Sequence, residues 1–438
     1  MGNTHLLNDL QIQQFITNGY LQLHVDCGSD FHQRIYQQIE STFASEGNVG
    51  DNILPRVPKI QRVFDHPVLQ GALISLLGEN YTMNPHRHCH LNAPDGGDQR
   101  WHKDCYVSDH NIRHPRFHWV LAFYYPQDTT EKMGPTALLP RMHFCKSISS
   151  DDPKHATEPE VLLCGKAGTV TLVHFDAWHR ATANRSTKKR YMLKFQFIRM
   201  QDPHQPSWNH QQQTWKNGQK NEVAVDVWNW LSGNTNSIKK GSHQPDLIHV
   251  MQQETLDSIG ETTAKTPDNL YGTNPTAGEA AQKLSVIGSP TVSELTQVLS
   301  SPHWWVRAMT VDVLTKIGPS AKDAIPALAE RADDDHWWVR RNTIEALGTI
   351  GLFNLSTIGL LGQKLADPDY RVRRNAAISL AKSGSQASPV ISMLTTTLND
   401  EDQYTRFYAA LALQRIDTNS PKNTLINTSV HPDQKQKN

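Results

Sequence analysis

The feature that most restricts what this chain can fold into is a 33-residue period in its C-terminal part. The segments SSPHWWVRAMTVDVLTKIG, DDDHWWVRRNTIEALGTIG, ADPDYRVRRNAAISLAKSG and NDEDQYTRFYAALALQRID align without gaps. Arg307, Arg340, Arg373 and Arg406 therefore fall 33 residues apart, and Gly318, Gly351 and Gly384 keep the same step. Each unit reads as an acidic or proline-bearing turn, a helix with apolar residues at i, i+3, i+4 and i+7, a glycine stop, and a second helix such as DAIPALAERA. A helix pair of this kind cannot bury its apolar stripe alone and must stack on its neighbours. The period thus predicts an all-α solenoid over residues 276–420, with the poorer copy GEAAQKLSVIG as its N-terminal cap and a disordered tail over 421–438.

The units resemble HEAT repeats of the short kind. That likeness implies a concave face with room for a protein partner. Trp304-Trp305 and Trp337-Trp338 are read as packing between repeats rather than as a ligand platform.

A chain of 438 residues has room for further domains upstream. Residues 8–24, NDLQIQQFITNGYLQLH, read as an amphipathic helix closed by Asn18-Gly19 and followed by a short strand. From about residue 80 to 200 the texture changes to short apolar runs, HWVLAFYYP, GTVTLVHF and YMLKFQFI, separated by turn residues, which predicts a β-rich domain within 1–205. The last run alternates Tyr191, Leu193, Phe195 and Phe197 against Met192, Lys194 and Gln196, so one face is buried and the other partly polar. Residues 206–275 are polar, with one apolar island, VAVDVWNWL, and read as a connector containing a helix.

Lys+Arg and Asp+Glu stand at 43 each, so no global field favours nucleic acid or an anionic membrane. The opening residues lack a basic start with an apolar core, and no run approaches a membrane span; a soluble cytoplasmic protein is expected. The five cysteines, at 27, 89, 105, 145 and 164, show no CxxC spacing and are expected to be reduced.

The chemistry-bearing residues lie in the β-rich part. GGDQRWHKDCY holds His102 and Asp104, which point to the same side of an extended chain. Alone, such a triplet is also what a surface pair looks like. Downstream, His179 follows a strand, and Arg190 comes eleven positions later at the start of the next. Two imidazoles and a carboxylate form the facial triad of non-haem Fe(II) oxygenases, which leaves three coordination positions open for an α-keto acid and O2. The keto acid's far carboxylate needs a fixed cation, and the planar fork of arginine suits it. His174 and Arg185 share the eleven-residue spacing, so spacing alone leaves both pairs open.

With these residues in view, the chain resembles the phytanoyl-CoA dioxygenase family over roughly residues 8–200, through FITNGY, WHKD, MGPTALLPRMH and WHRATANRS…R. The likeness implies a double-stranded β-helix, or jelly roll, using Fe(II), 2-oxoglutarate and O2 to oxidise a second, small-molecule substrate. By motif position it makes His102, Asp104 and His179 the iron ligands and Arg190 the partner of the 2-oxoglutarate distal carboxylate. Trp178, Asn184, Ser186 and the strand after Arg190 favour His179 and Arg190 over His174 and Arg185. Thr136 and Asn92 are placed as further cofactor contacts, with ordinary turn or strand roles as the alternative. Two positions depart from the family: Ala181 stands where a hydroxyl residue is usual, with Thr182 as a substitute, and Arg141-Met142-His143 replaces Gly-Ser-His. His86, His88 and His90 alternate along one strand face, as a structural wall or else as a substrate wall or second metal site. Two other readings remain at this point, an oxygenase of a protein or carrier-bound substrate recruited by the repeats, and a non-enzymatic interaction protein.

Overall fold

The structure, a computed structural model, describes residues 5–104, 116–143, 159–211, 215, 222–234, 246–252, 275–351 and 353–417. The expected tail over 421–438, much of the expected connector, and Cys105 and Cys145 lie outside the described residues. The chain divides into two units, residues 1–242 with 253–279, and residues 243–252 with 280–438.

The first unit holds the strands β1 (Tyr20–His24), β2 (Thr82–Asn92), β3 (Trp119–Tyr125), β4 (Thr136–Leu138), β5 (Val161–Leu162), β6 (Thr169–His174), β7 (His179–Ala181) and β8 (Arg190–Ile198). They form a five-stranded sheet in the order β1-β6-β3-β8-β2 and a three-stranded sheet in the order β5-β4-β7. Neighbours are antiparallel throughout. Two facing antiparallel sheets of this kind are the expected double-stranded β-helix.

Around the larger sheet run α1 (Asp9–Asn18), α2 (Ser29–Glu46), α3 (Pro67–Leu77) and α4 (Glu222–Leu231). α1 starts at a capping box, in which the Gln11 N–H donates to Asn8 Oδ1 and the Asn8 N–H to Gln11 Oε1, each at 3.0 Å. It ends at Gly19, φ +79°, where a Cβ would come within 2.6 Å of His143 Nδ1. The helix boundary and the strand after it follow the sequence reading closely.

All nine residues of β8 are buried. The outer face packs on the helical layer: Phe195 stacks on Phe64 at 4.2 Å, and Tyr191 meets Tyr36 edge-on at 5.3 Å. Phe15, Ile35, Ile39 and Leu73 belong to the same core. Burying each such side chain contributes roughly 1.5–3 kcal/mol, so this face sets stability. The inner face, Arg190, Met192, Lys194 and Gln196, is buried as well. Its polarity therefore points into the molecule.

α4, from the apolar island of the expected connector, supplies Val227, Trp228, Trp230 and Leu231 to this same core. Asp226 holds it down by accepting from Arg116 at 2.7 and 2.9 Å.

The second unit carries helix pairs. Its helices are α5 (Pro275–Ile287) from residue 280 onward, α6 (Val292–Val298), α7 (Trp304–Ile317), α8 (Ile325–Arg331), α9 (Trp337–Ile350), α10 (Leu355–Gln363), α11 (Tyr370–Ser383), α12 (Ile391–Thr397) and α13 (Gln403–Ile416). α7, α9, α11 and α13 stack in succession. The periodic arginines clasp each repeat to the next. Arg307 donates to both oxygens of Asp334 at 2.7 Å, Arg340 to Asp367 at 2.8 and 3.0 Å, and Arg373 to Asp400 at 2.7 and 3.1 Å. The tryptophans pack between repeats, with the buried rings of Trp305 and Trp338 5.7 Å apart at 84°, and Trp304 stacked on His336 at 3.6 Å.

Candidate metal centre

His102 and His179 are drawn together by the backbone. Each N–H donates to the other's carbonyl at 3.0 Å, an isolated antiparallel bridge that continues the smaller sheet past β7. Asp104, two residues along, reaches the same side. One ligand-capable atom from each of His102, Asp104 and His179 lies within 4.8 Å of the others, and the imidazole centroids are 4.3 Å apart. Asp104 is 1% exposed and His179 4%, while His102 is half-buried.

Hydrogen bonds set the tautomers. His102 Nδ1 stands 3.0 Å from the Arg100 carbonyl, and His179 Nδ1 3.1 Å from that of Ala177. A carbonyl only accepts, so each Nδ1 carries a proton and Nε2 is the nitrogen left to bind a metal. His179 Nε2 is 3.7 Å from Asp104 Oδ2, and Asp104 Oδ1 is buried with no hydrogen-bond partner. Burial pushes the His179 imidazole down to about 4, against the pull of Asp104. Burial would raise the Asp104 carboxyl, but Lys194 and His179 hold it well below the usual carboxylate range. Near neutral pH His179 is therefore neutral and Asp104 ionised, the states a cation needs. Two lone pairs and an orphaned buried oxygen fit a divalent ion of the ferrous kind.

Lys194 escaped the sequence reading. Its Nζ donates to Asp104 Oδ2 at 2.7 Å, with the two side chains 5% and 1% exposed. It stands on the inner face of β8 opposite His88 of β2 and Phe123 of β3, and the Phe123 ring lies 5.5 Å from His179. The available signal was a lysine in a strand with no solvent face, because buried lysines are rare without a partner.

Arg190 lies four residues before Lys194, about 13 Å away along the strand. It is 1% exposed, and its Nε and Nη2 donate to the Gly134 carbonyl at 3.0 and 2.7 Å. Gly134 has φ +66°, and a Cβ there would meet Asn92 Nδ2 and the Thr182 carbonyl at 2.5 Å, so the loop comes this close only with glycine. The Tyr125 hydroxyl donates to Thr136 Oγ1 at 3.0 Å, and the Arg190 guanidinium stands 5.9 Å from the Tyr125 ring. Arg190, Thr136 and Tyr125 thus form one polar end of the interior. Asn92, paired with Arg190 across the sheet, donates its amide to the carbonyls of Gly134 and Thr182 at 3.1 and 2.8 Å. The Thr182 hydroxyl donates to the Pro135 carbonyl at 2.7 Å.

His174 stands outside the cluster, its ring 4.8 Å from His143 and 5.5 Å from Phe117, and Arg185 is exposed. His143, in the altered loop, bonds the Ile16 carbonyl of α1 at 2.9 Å. His86 Nδ1 meets Asp51 at 3.2 Å, and His88 and His90 follow it with ring spacings of 6.2 and 4.6 Å.

Fold and site together describe a jelly roll with a two-histidine, one-carboxylate centre. Residues 33–192 match the phytanoyl-CoA dioxygenase (PhyH) family model, and residues 276–354 and 358–434 match HEAT repeats. A curated relative from Stutzerimonas stutzeri, "Probable alpha-ketoglutarate-dependent hypophosphite dioxygenase", is 29% identical over 133 residues, 27% of this chain and 45% of the relative. The chain thus spans less than half the length of that relative. Among solved structures, EctD from S. alaskensis with 2-oxoglutarate and 5-hydroxyectoine is 18% identical over 46% of this chain and 79% of that one, TM-score 0.38. The carbocyclase SnoK from nogalamycin biosynthesis is 15% identical over 44% and 85%, TM-score 0.37.

Proposed function

We propose that the first unit is an Fe(II)- and 2-oxoglutarate-dependent oxygenase that oxidises an unactivated C–H or comparable bond of a small molecule. The observation that carries this is the cluster itself: two imidazoles whose Nδ1 protons are tied to carbonyls, and a buried carboxylate oxygen without a partner, all facing one point. His102, Asp104 and His179 would hold the ion, and Arg190, with Thr136 beside it, would take the distal carboxylate of the co-substrate. When bound, iron and 2-oxoglutarate supply O2 activation coupled to decarboxylation of the keto acid to succinate and CO2. The chain's own contribution is positional. The Arg100 and Ala177 carbonyls take the Nδ1 protons, so Nε2 is the nitrogen each imidazole offers a metal. The inner face of β8 sets the guanidinium at one end and the lysine at the carboxylate, and burial excludes water from both.

The family match over residues 33–192 and the relative from Stutzerimonas stutzeri support this reading. That relative's name gives hypophosphite as its substrate. No described helix is long and apolar enough to cross a membrane. HEAT repeats in the second unit support a role in binding a protein partner.

Succinate formation that requires Fe(II) and 2-oxoglutarate is the direct test. His102→Ala and Asp104→Ala should each lower it at least about a thousandfold, since a coordinated metal supplies several kcal/mol. Wild-type turnover in either variant sinks the assignment.

A further inference from the structure

Past the Lys194 position, on the side away from Arg190, the inner face continues to Gln196. This side chain is fully buried, yet neither Oε1 nor Nε2 has a hydrogen-bond partner. Across the sheet Gln196 pairs with Leu121 of β3. In the row of Lys194, the buried Thr171 hydroxyl, opposite Phe123, is unpartnered as well. A buried primary amide left with all its bonding capacity unmade costs free energy, and native interiors keep such groups where a ligand or water completes them.

Charge points the same way. With a metal bound, Asp104 would serve two cations, the metal and Lys194. In the filled site the divalent ion is balanced by Asp104 together with the chelating carboxylate of 2-oxoglutarate, and Arg190 by the distal carboxylate. The buried ammonium of Lys194 then shares its carboxylate with a divalent ion, and beside the unpartnered amide of Gln196 such a cation favours an anion.

Resting on the oxygenase reading above, we propose that the second substrate is a small, singly charged oxyanion whose charged end docks between Lys194 and Gln196. Its uncharged end then faces the metal cluster. The amide of Gln196 offers a donor to the oxyanion, and Lys194 fixes the sign of the charge. Carboxylates and phosphorus oxyanions share this chemistry. His90, whose buried Nε2 is also unpartnered, lies in the next row toward Arg190 and so belongs to the co-substrate's side.

The test is calorimetric titration of the full chain, loaded with Mn(II) in place of Fe(II) and with 2-oxoglutarate, using propionate, methylphosphinate and the uncharged propionamide. At least one anion should bind about tenfold or more tightly than propionamide, the scale of a hydrogen bond to a charged group. Which anion wins separates the two oxyanion classes. Gln196→Leu should weaken that anion about tenfold while leaving the affinities for Mn(II) and 2-oxoglutarate unchanged. Lys194→Met should abolish the preference for charge and tighten Mn(II) binding, because one carboxylate no longer serves two cations. Equal binding of propionamide, no anion binding at tens of millimolar, or an unaltered Gln196→Leu variant overturns the anion site alone. Failure of the wild-type chain to bind Mn(II) with 2-oxoglutarate sinks the oxygenase reading, and this proposal with it.

Discussion

Both units bury charge, but they finish it differently. In the second unit the clasps are closed: Arg307, Arg340 and Arg373 each meet a carboxylate through two N–H groups, and their Nη1 atoms bond turn carbonyls at 2.9 to 3.0 Å. In the first unit the polar interior is open, with Asp104 Oδ1, His90 Nε2 and both amide atoms of Gln196 unpartnered. The same ingredients make a joint where the protein completes them and a site where it does not. A buried polar group is evidence of function only when its partners fall short.

The largest effect expected from this contrast is in the repeats. Arg307→Ala strips Asp334, whose side chain is 1% exposed, of its bidentate partner and leaves the buried carboxylate only Arg331 at 3.6 Å and the His336 N–H at 3.0 Å. Loss of about 3–5 kcal/mol in urea unfolding of the repeat transition is expected. The pair Arg307→Met with Asp334→Leu should recover most of it, because an apolar pair of similar volume removes both desolvation costs. If the double variant is as weak as the single one, the clasp does more than complete its own charges.

A smaller and different response is expected at Arg190. This guanidinium is buried but bonded through Nε and Nη2 to one carbonyl, so its charge has no carboxylate partner among the described residues. Arg190→Met should weaken 2-oxoglutarate binding about 10- to 100-fold, the worth of a charge-assisted contact, with little change in metal affinity. Calorimetry on the Mn(II)-loaded chain separates the two. Equal losses of metal and co-substrate would mean that Arg190 holds the fold of the site instead of the ligand.

Sequence carried the residue types further than the contacts. The 33-residue period placed the arginines, and the acidic turns holding Asp334, Asp367 and Asp400 were visible, but a period does not say that one repeat's arginine reaches the next repeat's turn. The proposed ligands His102, Asp104 and His179 and the proposed co-substrate partner Arg190 could be singled out because metal and keto acid demand those types in a known order. Lys194 was not, since its meaning depends on which strand residue faces the loop of Asp104, and alternation alone gives only the face. In the same way, VAVDVWNWL was recognisable as a helix, whereas its packing against the core of the first unit is a tertiary fact that no local pattern encodes.

The smallest effect is the sharpest probe of what a closed junction means. His336 lies stacked between Trp304 and Trp337, with ring spacings of 3.6 and 5.9 Å, and burial lowers its imidazole to about 4 despite Asp334 and Asp335 nearby. An unfolded histidine titrates near 6.5, so between about pH 6.5 and 4 the unfolded chain binds a proton that the folded one refuses. The contribution of neutral His336 is therefore complete above that window and is lost as the pH falls through it. Because the ring is part-exposed, solvent screening reduces the effect to under about 1 kcal/mol. Urea midpoints of the repeat transition at pH 7.5 and 5.0 should differ less in His336→Gln than in the wild type. An unchanged difference would assign the acid sensitivity of the repeats to the arginine–aspartate clasps, and the stacked ring would then be packing alone.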